Sequence, residues 1–174
     1  MRLCGRAWVF GDHVSTDAIM PARYLKLTAA ECAAHIMEGL DPDFPHRVQP
    51  GDIIVGGRNF GCGSSRENAP GGLKAAGVSC VVAVSFARIF FRNAINLGLP
   101  AIECREATHI ATGDVLEVDP LAGEIVNRTR GERYATRPLP AHVMALLEAG
   151  GLVPYLEQRI AQGALPAVRP PPRD

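Results

Sequence analysis

A glycine-rich loop at residues 56–70, with the sequence GGRNFGCGSSRENAP, limits the ways in which this chain can fold. The loop follows a short apolar run, residues 53–55, that is typical of a buried strand. It leads into residues 67–76, where the composition predicts a helix. Four glycines within eight residues allow a tight turn and a close approach of the backbone to a ligand, because no Cβ stands in the way. The sequence therefore predicts a strand, a tight loop and a helix in direct succession.

The polar residues of this loop favour an anion as its ligand. Ser64 or Ser65 is expected to cap the following helix, whose N-terminus offers unpaired N–H groups and a partial positive charge. Arg66 adds a planar guanidinium group that suits a carboxylate or a phosphate. Local chemistry alone is equally consistent with a tight turn that has an ordinary serine cap. It leads no further than an anion site that contains hydroxyl groups.

The residues present exclude three well-known glycine-rich loops. The stretch ends without the Gly-Lys-Ser/Thr of a P-loop, and it lacks the G-x-G-x-x-G of a dinucleotide-binding turn. The run GSSRE at residues 63–67 lacks the second glycine of the nucleophile elbow G-x-S-x-G. The loop therefore belongs to none of these three classes.

Length and composition set further limits. The 174 residues suggest one domain, expected over residues 1–165, followed by a disordered proline-rich tail over residues 166–174. The formal net charge is zero and no long basic run occurs, which argues against a nucleic-acid partner. No apolar stretch reaches the ~18 residues of a membrane span, and the N-terminus lacks the apolar core of a signal peptide. We therefore expect a soluble, untargeted chain with no membrane partner.

The cysteines argue against a metal centre built by this chain. They are five in number, widely spaced and without a C-x-x-C pair, so they provide neither a zinc ribbon nor a complete set of iron–sulfur ligands. An odd number of scattered cysteines is typical of reduced thiols that pack as small apolar groups. We expect a cytoplasmic location and no metal bound by the chain itself.

The other patterns predict an α/β fold with a mixed sheet flanked by helices. Strands are expected at residues 3–10, 79–85 and 101–104, and helices at residues 28–39 and 86–96. The apolar run at residues 80–84 lies between two predicted helices, as parallel strands of βαβ units do. Residues 41–50 carry three prolines and are expected to be a connector. From residue 113 onward, short strands at 114–118, 123–126 and 132–135 predict a small antiparallel part, followed by helices at 140–149 and 152–160.

Three sequence blocks resemble those of one known family. Residues 59–70, NFGCGSSRENAP, closely resemble the signature of the aconitase-superfamily swivelling domain. Residues 11–25, GDHVSTDAIMPARYL, are similar to its N-terminal motif, and residues 85–100, SFARIFFRNAINLGLP, to its second conserved block. Within this superfamily the chain resembles the small subunits of 3-isopropylmalate dehydratases, in the short form that homoaconitases also use. The resemblance implies the superfamily's swivelling β/β/α domain.

The resemblance also implies an activity. These proteins dehydrate and rehydrate a 2- or 3-hydroxy dicarboxylic acid, in this case interconverting 2- and 3-isopropylmalate in leucine biosynthesis. A large subunit, joined in a heterodimer or heterotetramer, holds a [4Fe-4S] cluster, so the small subunit alone is expected to be inactive. By motif match, Ser64 abstracts the proton, Ser65 assists it and Arg66 holds a substrate carboxylate. The resemblance assigns supporting roles to Asp17, Gly61 and Gly63.

The resemblance places a substrate loop at residues 21–26 and leaves the substrate open. An isopropyl group needs an apolar neighbour, whereas an additional carboxylate needs a cation, and this loop carries Arg23 and Lys26. Lys26 favours homoaconitate or another polar hydroxy-diacid, unless it is only a solvated surface residue, and the role of Arg23 is open in the same way. A non-catalytic anion-binding domain is a further alternative. Asn68 departs from the family, which often has histidine at that position.

Overall fold

The computed structural model describes residues 1–164. Within this range the centre of the fold is a sheet of seven strands: β1 Leu3–Val9, β2 Ile53–Gly56, β3 Cys80–Ala83, β4 Ala101–Glu103, β5 Val115–Asp119, β6 Glu124–Asn127 and β7 Glu132–Ala135. Their order across the sheet is β4-β3-β2-β1-β5-β6-β7. Neighbours from β4 to β1 are parallel, and neighbours from β1 to β7 are antiparallel. The predicted mixed sheet with a small antiparallel part is therefore confirmed.

The parallel half of the sheet is buried on both faces. All residues of β2 and β3 are buried, as continuous apolar runs in parallel sheets usually are. Successive side chains alternate between the faces, so Ile54 packs with Trp8 on one side while Ile53 and Val55 pack on the other. The second side also receives Leu116 from the antiparallel half. β1 thus joins the two halves around a shared core.

In the described part of the chain, five helices lie in the connections between the strands, and two more follow the last strand of the sheet. Within residues 1–164 they are α1 Thr16–Ile19, α2 Ala29–Cys32, α3 Phe44–Arg47, α4 Asn68–Ala75, α5 Arg88–Asn96, α6 Ala141–Glu148 and α7 Leu152–Ala161, with 3₁₀ turns at Ala22–Tyr24, Ala33–His35 and Arg105–His109. The helices expected at residues 86–96, 140–149 and 152–160 are present to within two residues at each end. None of the helices in the described range combines the length and the apolar character that a membrane span requires.

The helix predicted at residues 28–39 is wrong in its length. Its start is correct, because Thr28 and Glu31 form the expected capping box. The α-helix ends at Cys32, however, and a 3₁₀ turn continues only to His35. Met37 then adopts a φ of +61° and is fully buried. Burial of this residue in the core therefore outweighs the helical propensity of the segment.

The predicted connector at residues 41–50 also contains one helical turn, α3. Phe44 starts this turn and is fully buried, with its ring edge-on to Trp8 at 5.1 Å between ring centroids. Packing of this aromatic ring therefore stabilises a helical turn in a segment for which the prolines predicted only a loop. The proline-rich tail predicted at residues 166–174 lies outside the described residues.

Asp114 ties the antiparallel half together, and its loss is expected to weaken the fold in a pH-dependent way. Its Oδ2 atom accepts hydrogen bonds from Asn127 Nδ2 at 2.7 Å and Ala111 N at 3.0 Å, and it forms an ion pair with Arg130 Nε at 3.0 Å. Burial acts to raise the pKa of Asp114, but these hydrogen bonds and the Arg130 charge outweigh it and hold the pKa below its ordinary value.

A carboxyl group with a lowered folded-state pKa stabilises the fold above its unfolded pKa of about 4, and that stabilisation is lost as the pH falls through the folded value. We expect Asp114→Asn to cost about 1–3 kcal/mol at pH 7 and to reduce the loss of stability between pH 5 and pH 2, as measured by urea unfolding. Asp43→Asn, at an exposed carboxylate, serves as the control. An unchanged acid dependence in Asp114→Asn would contradict this account.

Candidate active site

Three loops meet at one edge of the parallel sheet. They follow β1, β2 and β3 and comprise residues 10–15, 57–67 and 84–87. Because these strands are parallel neighbours, their carboxyl ends lie at the same edge, which is where open α/β sheets bind ligands. The three sequence blocks that carry the family resemblance are thereby brought together. We call residues 57–67 the serine loop.

Backbone hydrogen bonds join the serine loop to the loop after β1. Gly61 N donates to Val14 O at 2.7 Å, and Thr16 N donates to Cys62 O at 2.8 Å. The buried Thr16 side chain adds a bond from Oγ1 to the carbonyl of Ser64 at 2.9 Å. The position of the serine segment is thus fixed through its backbone.

The loop after β3 holds the other side of the serine loop. Phe60 N donates to Ser85 O, and Ala87 N donates to Phe60 O, both at 2.9 Å. Asn59 N donates to Ser85 Oγ at 2.9 Å. The Phe60 ring is fully buried and lies edge-on to Phe90 at 5.3 Å between ring centroids. These contacts make the serine loop a fixed platform.

Gly61 and Gly63 give the serine loop its shape. Both have left-handed backbone angles, with φ values of +76° and +97°. A Cβ on Gly61 would lie 2.2 Å from Cγ of Phe90, whereas a Cβ on Gly63 would lie 3.4 Å from Oγ1 of Thr16. Gly61 therefore satisfies two requirements at once, a positive φ and a close approach to the core.

The two serines are exposed at this edge, but they do not cap the helix. Helix α4 begins at Asn68, and Glu67 occupies the N-cap position without a side-chain cap. The predicted cap at Ser64 or Ser65 is therefore wrong. The bond from Thr16 to the Ser64 carbonyl holds the serine segment beside α1, several residues before α4 starts. In the described part of the chain, the hydrogen bond at Ser64 is made by its backbone, so its hydroxyl is left for a ligand.

Arg66 lies next to the serines and is oriented by Asp17. Its Nη1 atom forms an ion pair with Asp17 Oδ1 at 2.5 Å and donates to Met20 O at 2.9 Å. The side chain of Arg66 is 10% exposed, while that of Asp17 is 59% exposed. Both contacts use Nη1, and Nε and Nη2 have no partner within residues 1–164. These two atoms form the side of the guanidinium group that can bind a carboxylate bidentately.

The predicted substrate loop, residues 21–26, is attached to the serine loop and to α4 by contacts at both of its ends. Arg66 binds the carbonyl of Met20 at its start, and Asn68 Nδ2 donates to the carbonyls of Leu25 at 3.3 Å and Leu27 at 3.4 Å. The sequence alone marks Asn68 only as a departure from the family. Its position at the start of α4 gives it this anchoring role.

Within residues 1–164, neither Arg23 nor Lys26 forms a hydrogen bond or an ion pair with the serine loop. Arg23 forms an ion pair with Glu38 and lies over the Tyr24 ring at 4.8 Å. Tyr24 in turn stacks on His35, with 3.9 Å between ring centroids. Lys26 is exposed and forms no ion pair within the described range. The residues brought together are Asp17, Ser64 and Arg66, with Ser65 beside them.

Sequence reasoning missed two residues that shape this site. Thr16 holds the Ser64 carbonyl, and Asp12 Oδ1 accepts a hydrogen bond from Arg58 N at 2.6 Å. Both lie in the polar turn directly after β1, next to the predicted Asp17. The signal that would have found them is a run of hydrogen-bonding side chains at the carboxyl end of a parallel strand.

Three of the five thiols of this chain, those of Cys32, Cys80 and Cys104, are buried. Burial raises the pKa of Cys80 to about 12 and that of Cys104 to about 11, which keeps both thiols protonated near neutral pH. Burial also raises the pKa of Cys32. A cluster is held by several thiolates, and Cys62 is the thiol that the serine loop contributes. Among residues 1–164, no group of three or more His, Cys, Asp or Glu side chains is placed to hold a metal ion.

Comparison with known proteins identifies similar sequences and structures. The profile of the aconitase C-terminal domain matches residues 15–107. The chain is 60% identical over 160 residues to the isopropylmalate/citramalate isomerase small subunit of Methanocaldococcus jannaschii, covering 91% of this chain and 95% of that protein. It is 55% identical over 165 residues to the 3-isopropylmalate dehydratase small subunit of Heliobacterium modesticaldum, covering 94% and 99%. The crystal structure of a 3-isopropylmalate dehydratase from Methanocaldococcus jannaschii matches with a TM-score of 0.89 at 45% identity, covering 94% and 98%.

Proposed function

Because the chain belongs to the aconitase C-terminal domain family, among the small subunits of 3-isopropylmalate dehydratase, we propose that it forms part of a hydro-lyase that interconverts 2- and 3-isopropylmalate in leucine biosynthesis. The family assignment made from the three sequence blocks is confirmed. The observation that carries the proposed chemistry is the placement of the exposed Ser64 beside Arg66 at the carboxyl edge of the parallel sheet.

Each residue of this edge has a role in the proposal. Ser64 Oγ removes the proton from the substrate carbon, and Ser65 assists it. Arg66 holds a substrate carboxylate through Nε and Nη2, while Asp17 fixes the guanidinium plane through Nη1. Gly61 and Gly63 support the loop that presents the hydroxyl groups.

A serine base requires a partner that closes the site. Holding the hydroxyl ionised near neutral pH would require its pKa to fall by roughly 8, or about 11 kcal/mol at 1.36 kcal/mol per pKa unit. A hydrogen bond to a charged group contributes only about 1.5–3 kcal/mol, and α4 begins too far along the chain for Ser64 to cap it. Ser64 is exposed in the isolated chain. A dry, closed cleft is therefore needed, and a second subunit must provide it.

The proposed partner is a large subunit, as the name "small subunit" of the relatives implies. In this proposal the large subunit alone holds the [4Fe-4S] cluster, which would supply a Lewis acid for the departing hydroxyl group. The chain described here contributes the base and a carboxylate site, and it closes the cleft. We place the complex in the cytoplasm, which agrees with five free thiols.

The names of the relatives favour isopropylmalate over homoaconitate. Leu25 in the substrate loop supports that choice, because its side chain is 46% exposed and offers an apolar surface to an isopropyl group. Arg23 is engaged by Glu38, which leaves Lys26 as the cation of the loop that a polar substrate would use. We propose that Lys26 and Arg23 border the substrate, with Lys26 directing its charged end to solvent.

Anaerobic activity after mixing with the large subunit tests this proposal. We expect the complex to turn over 3-isopropylmalate faster than homoaconitate, and either subunit alone to be inactive. Lys26→Met should leave kcat/KM for 3-isopropylmalate within about threefold, because the aliphatic stem is retained. A preference for homoaconitate that Lys26→Met abolishes would instead identify Lys26 as a carboxylate ligand. No turnover of any hydroxy-diacid with an intact cluster would favour a non-catalytic anion-binding domain.

A further inference from the structure

A cavity of about 420 Å³ lies between β4, the first turns of α5 and the segment that leads into α6. Its volume falls within the range of about 300–1,000 Å³ that is usual for small-molecule sites. Seven apolar residues line it, and the largest of them are Phe86, Phe91, Leu139 and Val143. Residues of the serine loop and of the substrate loop are not among those that line it. Phe86 belongs to the loop after β3, but no residue with a role in the proposed dehydration lines the cavity.

Three charged side chains complete the lining of the cavity. Arg88 comes from the start of α5, Arg137 from the segment before α6, and Glu103 from the end of β4. Within residues 1–164 none of the three forms a salt bridge, whereas ten other ion pairs are present. Two cations and one anion thus face the same apolar space without compensating one another. A ligand that carries both charges would pair with them.

We propose that this cavity binds an α-amino acid with an apolar side chain. The carboxylate would pair with Arg88 and Arg137, the ammonium group with Glu103, and the side chain would pack against Phe86 and Phe91. A hydroxy-diacid would pair its two carboxylates with the two arginines, but it would leave Glu103 without a partner. A fatty acid would satisfy the arginines but would leave Glu103 without a partner. The proposal concerns a ligand other than the substrate and does not depend on the dehydratase activity.

Calorimetric titration of the full chain with L-leucine and two truncated analogues tests the proposal. We expect saturable 1:1 binding of L-leucine. The analogues 4-methylpentanoate, which lacks the ammonium group, and 3-methylbutylamine, which lacks the carboxylate, should each bind at least about tenfold more weakly, since each loses one charge-assisted contact. Equal affinity for L-leucine and 4-methylpentanoate would overturn the assignment of the amino-acid class. The absence of saturable binding at millimolar concentrations of L-leucine would overturn the site altogether.

Variants of the charged residues that line the cavity test whether L-leucine binds there. Arg137→Gln and Glu103→Gln should each weaken L-leucine binding at least about tenfold without changing the fold, because both side chains are exposed. Arg92→Gln is the matched control, since Arg92 lies on the exposed face of the same helix as Arg88 but does not line the cavity. Wild-type affinity in Arg137→Gln, or an equal loss in Arg92→Gln, would show that binding occurs elsewhere.

Discussion

Replacing Ser64 by alanine is expected to lower kcat of the reconstituted enzyme by about 10²–10⁴-fold, the range that a positioned general base contributes. The stability of the fold should change by less than about 0.5 kcal/mol, because the Ser64 side chain is exposed. The contact between Thr16 and the Ser64 carbonyl is made by the backbone and remains in the variant. Steady-state kinetics of the complex and urea unfolding of the chain measure the two quantities.

Ser79→Ala is the control, because it should lower stability and leave turnover unchanged. Ser79 precedes β3, at the end of the sheet away from the serine loop, and its hydroxyl donates to Gly51 O at 2.7 Å. Its loss should cost about 0.5–1.5 kcal/mol of stability and leave turnover unchanged. If Ser64→Ala kept near-normal turnover in the complex, the assignment of Ser64 as the base would be wrong.

Gly61→Ala is expected to destabilise the fold by about 2–5 kcal/mol and to remove activity with it. A left-handed backbone costs a residue with a Cβ roughly 1–2 kcal/mol, and overpacking of a filled core adds about 1–3 kcal/mol. Both terms apply, because φ is +76° and the new Cβ would lie 2.4 Å from Cβ of Phe90. The Phe90 ring has little room to yield, since it is almost fully buried against Phe60.

Gly131→Ala separates the cost of the left-handed backbone from the cost of overpacking. Gly131 has a φ of +71°, close to that of Gly61, but a Cβ there would meet nothing within 4 Å. It should therefore lose only the backbone term, roughly 1–2 kcal/mol, in urea unfolding. Equal losses in the two alanine variants would show that contact with Phe90 is not what requires glycine at position 61.

The sequence predicts the parallel strands well because their signal is local. A run such as Cys80 to Ala83 is apolar throughout, as strands buried on both faces of a parallel sheet usually are. The segment at residues 33–39 is different, because its helical pattern competes with the burial of Met37 in the core. The same is true of α3, whose existence depends on packing between Phe44 and Trp8. Contacts distant in sequence decide these elements, and no local pattern contains them.

The candidate site shows the same difference between features with a local sequence signal and features that depend on tertiary contacts. The family motifs predict Ser64, Arg66 and Asp17 as site residues, and the fold brings them to one edge of the sheet. The pairing of Arg66 with Asp17 was not predicted, since it depends on how the loops after β1 and β2 meet. The prediction of a serine N-cap is wrong because the hydrogen bond from Thr16 Oγ1 to the Ser64 carbonyl outweighs the local preference of serine for helix starts. The roles of Arg23 and Lys26 remain predictions.

The attachment of the substrate loop has a consequence for how new specificities arise. Arg66 and Asn68 hold the loop by the carbonyl groups of residues 20, 25 and 27, which every amino acid carries. Mutations at the exposed positions 25 and 26 can therefore change the surface of this segment without loosening it or moving Ser64, the proposed base. In this arrangement the side chains of the loop can change while the backbone contacts that position it stay the same. If the proposed site is correct, we expect point mutations at these two positions to change substrate preference while Ser64 and Arg66 keep their places.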